Sequence, residues 1–208
     1  MARTRAADFE EKQRAILASA AAVLAEQGMD KASMAQIAAQ AQVSKALLYH
    51  YYPGRDALVF DIIRTHLEDL DAAVARADRA ELAPRARLRR LVHAVLETYR
   101  DADDHHKVQL NGTPTLPEEL RAEIHAIERR IVRRFAEVLR AIRPGLAGER
   151  PLLMPVTMSL FGMMNWVYMW FRDGGPIGRA DYADLATDLI LSGIDGLETG
   201  SEAGTARG

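Results

Sequence analysis

Apolar positions recur along this chain at intervals of three and four, and no stretch alternates with a period of two, so the pattern predicts helix nearly throughout. A first helix is predicted from about residue 8 to 27, with Phe9, Ile16, Ala20 and Leu24 on one face and Gly28 as its stop. Ser33 followed three residues later by Gln36 is a reciprocal capping pattern, and it opens a second helix with Ile37 and Ala38 turned inward. Ser44 caps a third, short helix that has Val43 at its start and Leu48 inside, and Pro53-Gly54 breaks it. A long helix over about 55–79 follows, striped by Leu58, Ile62, Leu70 and Val74. Further helices are predicted from Pro84 to about 100, around 103–112, from Pro117 to the Pro144-Gly145 stop, from Pro151 to the Arg-Asp-Gly-Gly at 172–175, and over about 180–197.

The fold class is therefore all-α, with an N-terminal three-helix head and a C-terminal helical body of about six helices. The expected division is 1–54 for the head, 55–198 for the body, and 199–208 for a small, polar tail expected to be disordered. An apolar fraction of 49% in 208 residues supports a sizeable core, and the lack of cysteine excludes disulfides and thiolate metal sites. The start, MARTRAADFEEK, has no apolar run of the signal-peptide kind. The stretch 152–171 reaches the length of a membrane span but carries Thr157, Ser159 and Asn165 with Pro155 and Gly162 as breaks, and it reads as a buried helix. A cytoplasmic protein that does not enter the membrane is expected. Net charge is −2, but residues up to Arg55 hold seven basic and five acidic side chains, so a slightly basic head sits on an acidic body.

Ser33 to Tyr52 has the organisation of a helix-turn-helix: a capped helix, a tight turn and a second capped short helix. The second of these exposes Lys45, Ala46, Tyr49 and His50. Small residues at its start suit passage into a major groove about 12 Å wide, and tyrosine hydroxyls and a lysine at the rim suit phosphate. The helix starts at Ser33 and Ser44 present N–H groups to the same anions. The plain alternative is a helical hairpin whose tyrosines only pack inward.

The segment SMAQIAAQAQVSKALLYHYYPGRDAL closely resembles the DNA-binding signature of the TetR family of bacterial repressors, which typically reads T-x-x-x-I-A-x-x-A-G-V-S-x-x-x-L-Y-x-(H/Y)-F, followed by a basic residue. The resemblance extends over about 9–62 and implies a homodimer that binds double-stranded operator DNA and answers to a small-molecule inducer. By position it implies that Ser33 caps and touches phosphate, that Lys45, Ala46 and Leu47 lie nearest the base edges, and that Tyr49, His50, Tyr51 and Arg55 face phosphates. Gln42 stands where glycine is usual. A left-handed residue there would cost about 1–2 kcal/mol. Leu47 replaces a common hydroxyl residue and suits a thymine methyl.

In the body, VQLNGTPTLPEELRAEIHAIERRIVRRF and LFGMMNWVYMWFRDGGPI stand out. Tyr99, Asn111, Phe161, Asn165, Trp166, Met169 and Trp170 are candidate walls of a ligand pocket, against the simpler reading of core and dimer interface. Both segments resemble a TetR branch that responds to acyl-CoA thioesters such as phenylacetyl-CoA. Arg129, Arg130, Arg133 and Arg134, one helical turn apart in pairs, offer charge for the CoA phosphates, unless they are only a solvated face. Leu185, Leu189 and Ser192-Gly193 form a stripe expected to build the homodimer through the last two helices as a four-helix interface.

Adjacent His105 and His106 point to different sides of a helix, and no zinc-protease spacing occurs, so no metal site is expected. No cofactor motif and no nucleophile arrangement appears, and the protein is not expected to be an enzyme. The function expected is a homodimeric repressor released by an inducer, an acyl-CoA thioester being favoured. A multidrug-sensing repressor of an efflux pump is the alternative, and an all-helical enzyme a remote one.

Overall fold

Helices make up all the regular structure of residues 2–198, the residues that the computed structural model describes; the tail expected to be disordered, 199–208, lies outside them. In chain order these are α1 (Ala2–Gln27), α2 (Met34–Gln40), α3 (Lys45–Tyr51), α4 (Arg55–Ala77), α5 (Pro84–Thr98), α6 (Asp103–Gly112), α7 (Glu118–Ile142), α8 (Leu153–Asn165), α9 (Val167–Trp170) and α10 (Arg179–Gly196). Single 3-10 turns follow α6 at Thr113–Thr115 and α7 at Pro144–Ala147. The apolar helix expected to run unbroken from Pro151 stops at Asn165 and resumes as one turn. The run Asn165, Trp166, Val167, Tyr168 has modest helix propensity throughout, and that is where the break falls. No helix among the described residues is long and apolar enough to cross a membrane.

The described residues form two compact units, those up to 68 with 101–127, and 69–100 with those from 128 on. The packed unit that holds the three-helix head also takes in part of α4 and all of α6. Its core is built from Ile16, Ala20 and Leu24 of α1, Ile37 and Ala38 of α2, Leu48 of α3, and Leu58, Ile62 and Ile63 of α4, all at most 3% exposed. Phe9, expected on the same inward face, is 49% exposed instead. It lies on α1 before the buried stretch begins, and its ring stacks on Tyr51 with centroids 4.9 Å apart. Gly28 ends the core part of α1 with φ +88, and its N–H donates to the Leu24 carbonyl at 3.0 Å. Helix α6 packs on α1. Its last residue, Gly112, meets α4 so closely that a Cβ there would stand 2.9 Å from Val59 Cγ1 and 3.1 Å from Met29 Cε. Deeper in this unit His66 of α4 faces His105 and His106 of α6, at ring-centroid distances of 5.9 and 6.2 Å. Burial, and then the two neighbouring imidazoles, lower the His66 pKa from 6.5 to about 3.

In the second unit α10 packs against α5 and α8. The core comes from Leu88, Leu91, Val92 and Val95 of α5, Ile131, Phe135, Val138 and Leu139 of α7, Leu160, Phe161 and Met164 of α8, and Ala183, Ala186 and Ile194 of α10. Polar links run between the helices at their rims. Asp78 accepts from Arg87 and from Arg134, the latter at 3.2 Å, and both hold its carboxyl below the usual range. Arg130 reaches Asp71 at 3.2 Å. Arg89 and His93 of α5 meet Asp184 of α10 at 2.7 and 2.8 Å.

Candidate nucleic-acid interface

The helix-turn-helix forms as its caps predict. The Ser33 hydroxyl accepts the Gln36 N–H at 3.3 Å, while Gln36 Oε1 accepts the Ser33 N–H at 2.8 Å, closing the reciprocal box. Ser44 accepts the Leu47 N–H at 3.1 Å at the start of α3. Each serine thus satisfies one N–H of its own first helical turn, so fewer of these groups remain for a phosphate than the sequence suggested. The turn between the helices is the left-handed one. Gln42 has φ +53, a value at which glycine would be unstrained, and its N–H donates to the Ala39 carbonyl at 3.1 Å. The Val43 N–H returns to the Ala38 carbonyl at 3.0 Å and closes the turn.

Helix α3 buries Leu48 completely and turns Lys45, Ala46, Tyr49 and His50 outward. Leu47 is half-buried, so its contribution to any outer surface is partial. The Lys45 ammonium lies 5.9 Å from the centre of the Tyr49 ring, and Tyr49 is 43% exposed. Ser33 and Ser44 are exposed at the helix starts, and Arg55, at the first turn of α4, is half-buried. Tyr51 differs from its neighbours: it is half-buried, and its ring is taken up by Phe9. Eight of the nine residues proposed for DNA are therefore in or beside one helix-turn-helix, and the ninth, Arg55, follows directly after the Pro53-Gly54 break.

Sequence reasoning missed the inner side of this element. Tyr52, the residue after α3, is buried, and its hydroxyl donates to Asp61 Oδ2 of α4 at 2.8 Å. Gln13 of α1 donates to the same oxygen at 2.9 Å, and Arg64 pairs with the other oxygen. Burial, first of all, pushes the Tyr52 phenol above its ordinary range, so it stays protonated and remains a donor. The signal was present in the sequence, since Tyr52 stands where the TetR pattern has phenylalanine and so adds one hydroxyl to an apolar position.

Six of the seven residues proposed as pocket walls lie in the second unit, and Asn111 lies in the first. In the second unit the Tyr99 hydroxyl donates to Asn165 Oδ1 at 2.9 Å, and Phe161 packs edge-to-face on Phe135 at 5.0 Å. Trp166, Met169 and Trp170 are 59%, 54% and 46% exposed. Met154 and Met158 of α8 and Leu185 and Leu189 of α10 are exposed as well. Asn111 is in the other unit, where it lines a cavity of about 450 Å3 with Leu24, Met29, Asp30 and Lys107. A cavity of about 290 Å3 in the second unit is lined by His93, Leu96, Glu97 and Arg179. Of the four arginines assigned to CoA phosphates, Arg130 and Arg134 are taken up by Asp71 and Asp78, while Arg129 and Arg133 are exposed.

Residues 16–62 match the family described as "Bacterial regulatory proteins, tetR family", and residues 81–194 match the "Tetracyclin repressor-like, C-terminal domain". A TetR-family transcriptional regulator from Bordetella parapertussis is 31% identical, with a TM-score of 0.81, and the match covers 89% of this chain and 97% of that one. The structure of AibR in complex with isovaleryl coenzyme A and operator DNA is 25% identical with a TM-score of 0.76, covering 86% of this chain and 98% of that one. The HTH-type transcriptional regulator RutR of Escherichia coli K12 is 32% identical over 120 residues, which are 56% of this chain and 56% of RutR. The chain thus spans little more than half the length of that curated relative.

Proposed function

The chain belongs to the TetR family of bacterial regulatory proteins, a family of transcriptional regulators rather than enzymes, and from that premise we propose that it is a homodimeric, ligand-responsive repressor. The observation that carries the reading is the doubly capped helix-turn-helix, whose left-handed turn at Gln42 sets α3 with Lys45, Ala46, Tyr49 and His50 outward. On operator DNA, Lys45, Ala46 and Leu47 approach base edges, while Ser33, Ser44, Tyr49, His50, Tyr51 and Arg55 position the head on phosphates.

Two heads read successive major-groove faces only if two copies associate. The α8–α10 region supplies the surface for that: Met154 and Met158 lie one turn apart on α8, Trp166 directly follows its last residue, and Leu185 and Leu189 lie one turn apart on α10. Inducer binding in the body changes the spacing of the two reading helices, about 34–36 Å on DNA, and weakens the complex. The inducer class favoured is an acyl-CoA thioester. AibR, which was solved with isovaleryl coenzyme A, supports this through its similarity, and exposed Arg129 and Arg133 supply charge for the CoA phosphates. Tyr99 and Asn165 are the polar pair suited to orient an acyl group.

A gel shift on the DNA upstream of the protein's own gene tests the first part. Binding at low salt is expected, and Arg55→Ala, which removes a cation assigned to phosphate, should reduce affinity and lower the salt slope by about one. Absence of a shift at low salt sinks the reading. For the inducer, isovaleryl- and phenylacetyl-CoA should release the DNA and free CoA should not. Release by hydrophobic cations with indifference to thioesters would instead assign the protein to multidrug sensing.

A further inference from the structure

The reading helix is held at its C-terminal end by a buried polar hub. Asp61 is 7% exposed, and its carboxylate receives three donors from three places in the chain. Tyr52, which ends α3, gives its O–H at 2.8 Å; Gln13, in the middle of α1, gives an N–H at 2.9 Å; Arg64, one turn further along α4, pairs with the second oxygen. Gln13 Nε2 also lies 3.3 Å from the Tyr52 hydroxyl, so the contacts close a ring rather than a chain. The Tyr52 main chain is fixed as well, its N–H donating to the Leu48 carbonyl at 2.9 Å.

A buried carboxylate is costly unless fully paired, and apolar side chains of the same shape would often serve stability as well. What such a hub adds is geometry, because its bonds have fixed directions and apolar contacts have none. We propose that Tyr52 is a positioning residue for DNA recognition: through its hydroxyl and Asp61 it fixes the rotation and tilt of α3, so that Lys45, Ala46 and Leu47 meet base edges in register. The proposal rests on the reading of α3 as the DNA-reading helix. It follows from where the hub is attached. Loss of the hydroxyl frees the end of α3 relative to α1 and α4, while none of the outward-facing side chains is itself removed. Binding to phosphates tolerates such freedom. Base readout does not, since its hydrogen bonds and methyl contacts need fixed distances.

The test compares affinities of the full-length protein for two duplexes, the DNA upstream of its own gene and a scrambled duplex of equal composition. Tyr52→Phe keeps the ring and removes only the oxygen. The expected result is a specific-to-scrambled ratio reduced about five- to tenfold, the net effect of one hydrogen bond, with scrambled affinity and its salt slope unchanged. Gln13→Leu, at the half-buried edge of the hub, should lower the ratio in the same direction by a smaller factor, and it keeps the test decisive if Tyr52→Phe fails to fold. Asp61→Asn retains an acceptor for Tyr52 and should restore part of the ratio that Asp61→Leu loses. A Tyr52→Phe protein with a lower melting temperature and an unchanged ratio overturns the proposal, because the hub would then be structural only. A wild-type protein that binds both duplexes equally overturns the DNA-reading assignment and this proposal with it; discrimination by the wild type alongside an unchanged Tyr52→Phe ratio leaves that assignment standing.

Discussion

The outer side of α3 and the outer face of α8, α9 and α10 both leave large side chains in solvent. Tyr49 is 43% exposed, and Trp166, Met169, Leu185 and Leu189 lie between 48% and 59%. The company each keeps is different. Tyr49 stands beside Lys45 and His50 near two serine-capped helix starts, so its ring carries a hydroxyl into a polar and cationic surround. On α8 and α10 the pairs Met154/Met158 and Leu185/Leu189 are each one turn apart, and Gly162, Ser192 and Gly193 are exposed small residues on the same helices. The first surface suits an anionic polymer. The second suits another apolar helix pair, because methionine, tryptophan and leucine gain most from losing water and small residues permit close approach. Exposure alone is the same signal in both; the accompanying groups decide the partner.

The sharpest way to break this comparison is to destroy one surface from beneath. Leu48 is completely buried under α3, and Leu48→Ala should cost about 2–5 kcal/mol. The helix-turn-helix loses its anchor, and DNA binding should fall far more than self-association does. Unfolding curves together with sedimentation and gel shift separate these; equal loss of both functions would show that the two surfaces do not fail independently. The next effect acts on the other face. Leu189 is 57% exposed, so Leu189→Glu leaves the fold of an isolated subunit intact yet places a charge in the proposed dimer interface. A dimer weakened about 100-fold or more is expected by sedimentation, with an unchanged circular dichroism spectrum. A dimer of wild-type strength would remove α10 from the interface.

The two regions also differed in how far the sequence disclosed them. In the head nearly every feature has a local cause. Ser33 with Gln36, Ser44, and Pro53-Gly54 mark boundaries that the chain adopts, and Ile37, Ala38 and Leu48 are buried as their spacing requires. What stayed hidden there was long-range: Gln13 and Tyr52 meet Asp61 across 48 and 9 residues, and no local pattern announces such a meeting. In the body the helices were legible, and their faces were not. Trp166, Met169 and Trp170 read equally well as pocket, core or interface, since each of these wants the same residue types. Only the fold shows that they stand outside while Phe161 and Tyr99 are inside. Arg130 and Arg134 posed the same difficulty, because their carboxylate partners, Asp71 and Asp78, are 59 and 56 residues away.

A smaller effect separates buried from surface chemistry by pH. His66 has its pKa lowered in the fold to about 3, so the folded chain refuses a proton that the unfolded chain accepts below about 6.5. Its neutral form is fully compatible with folding above that value, and stability is lost as pH falls from 6.5 towards 3. One proton gives a slope of about 1.4 kcal/mol per pH unit at most. Urea unfolding at pH 7, 6 and 5 should show a loss that His66→Phe flattens. A variant with the wild-type slope would place the acid-sensitive group elsewhere.

The smallest effect concerns Gln42, and it sharpens the account of the head without touching either surface's chemistry. Its φ of +53 is the left-handed conformation, which costs a residue with a Cβ about 1–2 kcal/mol. Gln42→Gly relieves that strain but gives the unfolded chain more freedom to lose, worth about 0.5–1 kcal/mol in the opposite direction. The difference should leave the variant more stable by about 0.5–1 kcal/mol. Because the turn already has the geometry glycine would choose, α2 and α3 keep their relation, and affinity for DNA should not change. Denaturant midpoints and a parallel gel shift check both halves. A destabilised variant would mean that the glutamine side chain makes a contact worth more than the strain, whereas altered DNA affinity would make Gln42 part of the interface, on which it is exposed.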